Sequence, residues 1–381
     1  MSNYLPYGHH WIDDSDINAV IEVMHSGWLT QGSKVTEFER ELASHFDAKY
    51  AVVFSSGTAA LHAAYFSVGL KRGDTIITTP ITFVATSNAA QFLGSDVSFV
   101  DIDPDTANIE VSLIEDKIEK RTKGIVPVDF AGQPADLDEI RAIADIHGLF
   151  VVEDACHAIG STYKGKKIGS LSDISVFSFH PVKNITTGEG GAALTNDEEL
   201  FEKLIMFRHH GITKEPNKMK RDFAPWSYEM HYLGNNYRLT DIQCALGLSQ
   251  LKKLDYFVAR RRQIVNLYNE AFTDVDEIEP LKERNDRMAA WHLYVIQLKL
   301  DKMNKTRLAV FNELKLQNIG VQVHYMPVYR QPFYEQLGFR PGLCPNAEKY
   351  YESAITLPLF PSMKDADIQR VEQAVINAVC N

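Results

Sequence analysis

Short apolar runs alternate with stretches of helical periodicity over the first two thirds of the chain. Runs rich in Val, Ile and Phe predict strands at residues 50–54, 75–79, 97–101, 124–129 and 149–154. Apolar residues at helical spacing predict helices at residues 58–68, 85–93 and 137–146. Two closely spaced strands are predicted to follow at residues 175–178 and 191–194. This alternation predicts an α/β fold in which helices cover both faces of a mostly parallel sheet.

The last third of the chain has a different pattern. A helical periodicity that runs from Leu239 to about Phe272 predicts one long helix. Beyond it we expect strands and helices to mix, with strands at residues 291–298 and 320–325 and helices at residues 308–316 and 365–379. A length of 381 residues also favours two domains. We therefore predict a large α/β domain over residues 1–250 and a smaller C-terminal α+β domain over residues 251–381.

Charge and composition exclude several classes of function. The net charge of −11 disfavours nucleic acid or an anionic membrane surface as a partner. The four cysteines are scattered and form no metal-binding motif, so we expect neither disulfides nor a metal site. The first residues have no signal-peptide pattern, and no apolar run is long enough to cross a membrane. These features are typical of a cytoplasmic protein.

A lysine and a carboxylate lie at predicted strand ends. Lys183 follows the strand at 175–178 and precedes a glycine-rich turn, and Asp154 ends an apolar strand 29 positions earlier. In α/β proteins such strand ends line the ligand crevice, where a partly buried lysine amine becomes nucleophilic. A carboxylate beside a pyridine nitrogen keeps that nitrogen protonated. Alone, each residue has an ordinary alternative role, at the surface or as a helix cap, but together they predict a pyridoxal phosphate site.

Other segments supply candidates for the rest of that cofactor. Residues 55–58 join a strand to a helix, and a turn of small residues there can present N–H groups to a phosphate. Ser178 can add a hydroxyl to the same phosphate. Phe83, at a second strand–helix junction, can cover the pyridine ring, and His157 can stack on it or orient it. The alternatives are structural: a helix cap, a core phenylalanine and a hydrogen-bonded structural histidine.

With these motifs in order, the chain resembles the pyridoxal phosphate-dependent sugar aminotransferases of the DegT/DnrJ/EryC1 group. The resemblance runs nearly end to end and rests on Gly27-Trp28-Leu29-Thr30-Gln31-Gly32, Ser56-Gly57-Thr58, Pro80-Ile81-Thr82-Phe83, Glu153-Asp154-Ala155-Cys156-His157, Ser178-Phe179-His180 with Lys183, Glu189-Gly190-Gly191, Asn236-Tyr237-Arg238 and Val323-His324-Tyr325. It implies the type I aminotransferase fold, with a mostly parallel mixed sheet between helices in the large domain. It also implies that Lys183 is the catalytic residue and binds the cofactor covalently. The other cofactor-binding residues that it implies are Gly57, Thr58, Phe83, Asp154, His157, Ser178 and Asn236.

The same resemblance implies a homodimer with shared active sites, because Asn236 matches an asparagine that reaches the cofactor of the neighbouring subunit. A diphosphate-linked substrate is negatively charged, as is this chain, so local donors must overcome the average repulsion. The candidate substrate-binding residues are Tyr7, Leu29, Thr30, Ser56, Arg238, His324 and Tyr325, with Arg330 as a further cation. Each of them has a purely structural role as its alternative.

Within the family, the run around Lys183 and residues 225–230 are most similar to enzymes of the pseudaminic-acid pathway. Those enzymes aminate C4 of a UDP-linked 2-acetamido-2,6-dideoxy-4-hexulose, for which L-glutamate is the expected donor. Aminotransferases for other UDP- or dTDP-keto-sugars, of the 4-amino-arabinose or 3-amino type, are alternatives. So are sugar dehydratases that use the same cofactor, but those carry histidine at the position of Lys183. A non-catalytic binding protein is the alternative outside enzymes, and no appended DNA-binding module supports it.

Overall fold

A computed structural model describes residues 4–221 and 224–380 of the chain. Residues 1–3 lie outside these ranges; they belong to the N-terminal segment in which the sequence shows no signal-peptide pattern. The strands are β1 (Tyr50–Phe54), β2 (Thr75–Thr78), β3 (Asp96–Phe99), β4 (Thr122–Val126), β5 (Phe150–Asp154), β6 (Thr162–Tyr163), β7 (Lys166–Lys167), β8 (Ile174–Ser178), β9 (Gly191–Thr195), β10 (Ile212–Thr213), β11 (Glu229–Met230), β12 (Ile278–Pro280), β13 (Arg287–Met288), β14 (Tyr294–Leu298) and β15 (Ala354–Leu357).

Helices connect and cover these strands. The α-helices are α1 (Asp14–Met24), α2 (Ser33–His45), α3 (Gly57–Ser67), α4 (Ala85–Phe92), α5 (Leu137–His147), α6 (Glu198–Arg208), α7 (Asp241–Leu251), α8 (Leu254–Phe272), α9 (Arg307–Leu316), α10 (Pro332–Gln336), α11 (Pro345–Ser353) and α12 (Asp365–Cys380). Short 3-10 turns lie at Val111–Leu113, Glu115–Lys117, Phe130–Gly132, Pro216–Lys218, Leu300–Lys302 and Val328–Arg330. Among the described residues, no helix is both long and apolar enough to span a membrane.

A seven-stranded mixed sheet forms the centre of the molecule, in the order β1-β9-β8-β5-β4-β2-β3. Within it, β9 runs antiparallel to both neighbours, and the other strands share one direction. Alternate residues of a strand face opposite sides of a sheet. Accordingly Val52 belongs to one hydrophobic cluster and Val53 to the cluster on the other face. The predicted mostly parallel mixed sheet between helices is therefore confirmed.

A three-stranded antiparallel sheet, β12-β14-β15, lies in the last third of the chain. Its residues and those of α8, α9 and α12 form a third hydrophobic cluster, which Leu5 from the N-terminal segment joins. The mixture of strands and helices agrees with the expected α+β character. The division of the chain after residue 250 stays a prediction.

Two predicted elements are wrong. The helix expected over residues 239–272 is two helices, because α7 ends at Leu251 and α8 begins at Leu254. The apolar periodicity continues through the break because both helices bury an apolar face, α7 against α1 and α2 and α8 against α12. The strand expected at residues 320–325 is absent as well. There Gln322 forms a single bridge with Thr356, and the neighbouring Ile319 is bridged to the N-terminal segment instead.

Candidate active site

A cleft of about 470 Å³ opens at the carboxyl edge of the large sheet. The strands β1, β2, β5 and β8 all end at this edge, and each is followed by a segment that lines the cleft. The predicted site residues that line it are Tyr7, Ser56, Gly57, Thr58, Phe83, Asp154, His157, Ser178, Lys183, His324 and Tyr325. The parallel sheet therefore brings together residues that are far apart in sequence, as is usual at the carboxyl ends of parallel strands.

Lys183 lies on the loop between β8 and β9. The loop is held by its own backbone, since the N–H of Thr187 donates to the carbonyl of Phe179 and the N–H of Lys183 donates to the carbonyl of His180. The side chain enters the cleft, and burial of its amine lowers the pKa of Lys183 to about 8. A lowered lysine pKa increases the neutral fraction of the amine, which is the form that attacks an aldehyde.

Asp154 is the last residue of β5 and is 5% exposed. Its Oδ2 accepts a hydrogen bond of 2.6 Å from the Thr86 hydroxyl, and its Oδ1 accepts one of 3.2 Å from the backbone N–H of Cys156. Within the described part of the chain, no lysine or arginine nitrogen forms an ion pair with this carboxylate. A buried carboxylate that is held by hydrogen bonds but not paired with a cation is suited to bind a cationic ring nitrogen of a bound group.

The first turn of α3 forms one end of the cleft. Ser56 caps the helix, with its Oγ accepting from the N–H of Ala59 at 3.1 Å. The N–H groups of Gly57 and Thr58 belong to the first turn and have no intrahelical acceptor. A Cβ on Gly57 would lie 3.0 Å from the Cβ of Ser178, so glycine allows the helix end to approach this serine closely. The result is a small cradle of N–H and hydroxyl donors that suits a phosphate group.

Aromatic side chains surround the space between these two ends. Phe83 is 57% exposed, which leaves its ring free to cover a flat ligand. On the deeper side, Nε2 of His157 lies 3.3 Å from the Tyr325 hydroxyl. Burial holds the pKa of His157 well below its usual value and raises that of Tyr325. Both side chains are therefore neutral near pH 7 and can contribute hydrogen bonds and stacking rather than charge.

His324 also reaches the cleft, but in a neutral form. Its Nδ1 lies 2.8 Å from the Thr356 hydroxyl, and burial lowers the pKa of His324 to about 3. It can therefore offer a hydrogen bond to a substrate, but not a positive charge.

Five predicted residues do not line this cleft. Leu29 and Thr30 are exposed, as is Asn236. Arg238 is half-buried, and its guanidinium lies 2.6 Å from the Nδ1 of His209. The carbonyl of Leu29 accepts a hydrogen bond from the N–H of Asp241, and His209 is bridged to Asn236. These contacts connect residues 29–30 with residues 236–241, so Leu29, Thr30, Asn236 and Arg238 belong to one surface region. Arg330, the further cation, lies 3.7 Å from a carboxylate oxygen of Glu348. The substrate and cofactor roles of these residues stay predictions.

The structure adds residues that sequence reasoning missed. Thr86 lies in the first turn of α4, three residues after Phe83, and helical spacing could have indicated that both face the cleft. Cys156 lines the cleft two residues after Asp154. His292 lies 109 residues after Lys183, with its Nε2 3.4 Å from the lysine Nζ. No local signal in the sequence points to His292, because its position depends on the packing of the C-terminal third.

Comparison with known proteins identifies the family of this chain. The model of the DegT/DnrJ/EryC1/StrS aminotransferase family matches residues 10–376. The UDP-4-amino-4,6-dideoxy-N-acetyl-beta-L-altrosamine transaminase of Campylobacter jejuni is 39% identical over 376 residues, which cover 98% of this chain and 97% of that protein.

Solved structures agree with this match. PseC of Helicobacter pylori, an aminotransferase involved in the biosynthesis of pseudoaminic acid, has a TM-score of 0.93 at 36% identity and covers 99% of both chains. The PMP-form of Spr1654 from Streptococcus pneumoniae, a putative sugar aminotransferase, has a TM-score of 0.92 at 30% identity and covers 98% of both chains. The predicted aminotransferase fold is therefore confirmed. The chain belongs to the DegT/DnrJ/EryC1/StrS aminotransferase family.

Proposed function

We propose that this enzyme transfers the amino group of L-glutamate to C4 of a UDP-linked 2-acetamido-2,6-dideoxy-4-hexulose. The products would be the 4-amino sugar, for surface-glycan synthesis, and 2-oxoglutarate. The observation that carries the proposal is the meeting of the Lys183 amine and the Asp154 carboxylate in one cleft. The Campylobacter jejuni relative, whose name specifies a UDP-linked amino sugar, supports the choice of substrate.

The cofactor is pyridoxal phosphate, in agreement with the PLP-form and PMP-form of the Streptococcus pneumoniae relative. When bound, it supplies a pyridinium ring that withdraws electrons from the carbon where the amino group is exchanged. Asp154 would hold the ring nitrogen, and Thr86 would keep that carboxylate oriented through its 2.6 Å hydrogen bond. The N–H groups of Gly57 and Thr58 would hold the phosphate, together with the hydroxyl of Ser178. Phe83 and His157 would lie against the two faces of the ring.

Lys183 would perform the proton transfers. Once the donor has displaced it, its amine is free, and a pKa of about 8 allows it to act both as base and as acid near neutral pH. It would take the proton from the α-carbon of glutamate and deliver it to the cofactor carbon that receives the amino group. With the keto-sugar in place, the same amine would move the proton in the opposite direction.

We further propose that the enzyme is a homodimer in which each subunit completes the other's cleft. Several apolar side chains are exposed at or near the predicted residues that lie outside the cleft of their own chain. Trp28 is 65% exposed, Leu29 47% and Leu233 85%. Exposed apolar patches are typical of interaction surfaces. A second copy of the chain on this surface would bring Arg238 and Asn236 to the neighbouring cleft. There the guanidinium could contact the substrate diphosphate.

A cytoplasmic location is proposed as well. All four cysteines of the chain are free thiols, which is the usual state in a reducing compartment.

A product screen by mass spectrometry tests the proposed function directly. The full-length enzyme with its cofactor would be incubated with L-glutamate and a panel of UDP- and dTDP-linked 4-keto and 3-keto sugars. We expect one amino-sugar product, formed from the UDP-linked 4-keto substrate only when glutamate is present. A product that loses water instead of gaining an amino group would contradict amino transfer. A product from another keto-sugar alone would contradict the proposed substrate.

A further inference from the structure

His292 contacts the reacting amine from the side of the C-terminal third. Its Nε2 lies 3.4 Å from the Nζ of Lys183, and its ring centroid lies 4.5 Å from that of His157. The side chain is 5% exposed. Burial, reinforced by the positive charge of Lys183, holds the pKa of His292 well below its usual value. The imidazole is therefore neutral and, in the tautomer protonated at Nδ1, accepts a hydrogen bond at Nε2.

The backbone at His292 is clamped by a buried arginine. Arg261, on α8, has no exposed surface, and its Nη1 donates to the carbonyls of Leu359 at 2.9 Å, His292 at 3.3 Å and Trp291 at 3.4 Å. Trp291 has a φ of 44°, in the left-handed region, which turns the chain just before the histidine. These hydrogen bonds therefore hold the backbone at Trp291 and His292, and this backbone sets the direction of the His292 imidazole.

The burial of the Arg261 guanidinium is energetically unfavourable. In the described part of the chain, no carboxylate lies within ion-pair distance of this guanidinium, and its Nε and Nη2 have no hydrogen-bond partner. An unpaired charge is unfavourable in a protein interior. An apolar residue of similar volume would fill the same space without that cost, but it could not hold the carbonyls that place His292.

We propose that His292 holds the free amine of Lys183 in the orientation needed for proton transfer, and that Arg261 is the positioning residue for His292. The neutral amine has two hydrogens and one lone pair. If one N–H of Lys183 donates to Nε2 of His292, the lone pair is directed away from the histidine and is available to accept a proton. After the proton has been taken up, the ammonium keeps the same hydrogen bond, so the orientation is preserved in both states.

This inference rests on the proposed function, because it assigns His292 a part in the lysine's proton transfers. Its test must therefore separate the two. The aminated form of the full-length enzyme would be prepared by adding pyridoxamine phosphate directly, which requires no amino donor. The pH dependence of Lys183 acetylation by acetic anhydride, followed by mass spectrometry, would then report the titration of the free amine.

The variants His292→Leu, His292→Asn and His292→Gln form a matched series. The amide of glutamine can place an acceptor near the position of Nε2, whereas that of asparagine reaches only the position of Nδ1. A hydrogen bond to the charged form raises the pKa of a lysine, so we expect the midpoint to fall by about one pH unit in the leucine and asparagine variants. The glutamine variant should keep the wild-type midpoint. An unchanged midpoint in leucine and asparagine, or an equal shift in all three, would overturn the role of His292.

A second measurement addresses proton transfer itself. In single turnovers with α-deuterated L-glutamate, a misplaced lysine should slow the conversion to the aminated form by about 10²-fold in His292→Asn, with a larger isotope effect. If the wild-type enzyme does not react with glutamate, the proposed donor is wrong, and the acetylation series still decides the role of His292. Wild-type turnover that is equalled by His292→Asn would contradict the inference alone.

Arg261→Met tests the positioning role. It should slow the same step, and most of this loss should disappear when His292 is already leucine, because a residue that acts mainly through another has little effect once that residue is removed. Only the direct effect of the Arg261 charge, which lowers the pKa of Lys183, would remain. Additive losses in the double variant would show that Arg261 does not act through His292.

Discussion

The part of the cleft that contains Lys183 and Asp154, the proposed cofactor end, differs from the surface around Arg238 in how complete it is within one chain. At the cofactor end, Asp154 is buried and already fixed by hydrogen bonds from Thr86 and Cys156. At the surface, Leu233 is 85% exposed, and Arg238 contacts a histidine of its own chain rather than a cleft. On the proposed function, one chain would supply Lys183 and Asp154 for amino transfer, whereas binding of the sugar nucleotide would also require the proposed dimer.

The largest effect should come from the cofactor end. Replacing Lys183 with arginine keeps the positive charge but removes the amine that binds the cofactor and moves protons. We expect a loss of activity of about 10²–10⁴-fold, together with loss of the visible absorbance of the lysine-bound cofactor. Absorbance spectra and initial rates measure both, and circular dichroism checks folding. Lys166→Arg, on β7 and outside the cleft, is the control. Unchanged absorbance in Lys183→Arg would contradict the assignment.

The surface should be sensitive to charge if it is an interface. Leu233→Asp replaces an exposed apolar side chain of the proposed interface with a carboxylate. A loss of about 2 kcal/mol, as expected for an interface core residue, would weaken dimerisation about 30-fold. Sedimentation or light scattering across a dilution series measures this. Leu316→Asp is the matched control, because Leu316 is 83% exposed and ends α9, in the C-terminal third.

The same pair of variants also tests whether cofactor binding depends on the dimer. If the cofactor end is complete in one chain, a monomeric Leu233→Asp enzyme should still bind pyridoxal phosphate while losing affinity for the sugar nucleotide. A monomeric wild-type enzyme with full activity would refute the shared cleft.

A smaller effect is expected at Thr86. Thr86→Val keeps the shape of the side chain and removes its hydrogen bond to Asp154. A net hydrogen bond to a charged group is worth about 1.5–3 kcal/mol, and the remaining Cys156 N–H limits the loss, so cofactor affinity should fall about tenfold. Equilibrium titration with pyridoxal phosphate measures the change. Thr82→Val should have a weaker effect, because Thr82 contacts the Thr86 hydroxyl and not the carboxylate. Equal effects of the two would argue against a direct role of Thr86.

The smallest predicted effect concerns the phosphate end. A methyl group on Gly57 would lie 3.0 Å from Cβ of Ser178 and 3.3 Å from Sγ of Cys156, so these side chains must move by a few tenths of an ångström. Gly57→Ala should therefore cost about 1 kcal/mol, or about fivefold in cofactor affinity. Gly27→Ala, where the added carbon meets nothing within 4 Å, is the control. A gain in affinity for Gly57→Ala would show that the cradle has spare room.

Local sequence patterns predicted much of the large sheet and of the helices that cover it. The strand β5 and the helix α5 lie within a residue or two of their predicted ends, because apolar periodicity and strand composition are local signals. The break after Leu251 was missed because two helices that both bury apolar faces continue one period. The strand expected at residues 320–325 does not form, because Gln322 is bridged to Thr356 whereas the neighbouring Ile319 is bridged to the N-terminal segment. Both partners are distant in sequence, so no local window contains them.

The amino-acid sequence alone was enough to predict the family, the type of sheet and the candidate residues near the strand ends, including Lys183 and Asp154. These follow from periodicity and from motifs, each of which lies within a short stretch of chain. Only the tertiary structure placed His292 beside Lys183, with Arg261 behind it, because these residues approach through the packing of α8 and the C-terminal sheet. It also separated Arg238 from the cleft that its own chain forms. Contacts between residues distant in sequence depend on the whole packed molecule, and this is where the lysine's amine acquires its surroundings.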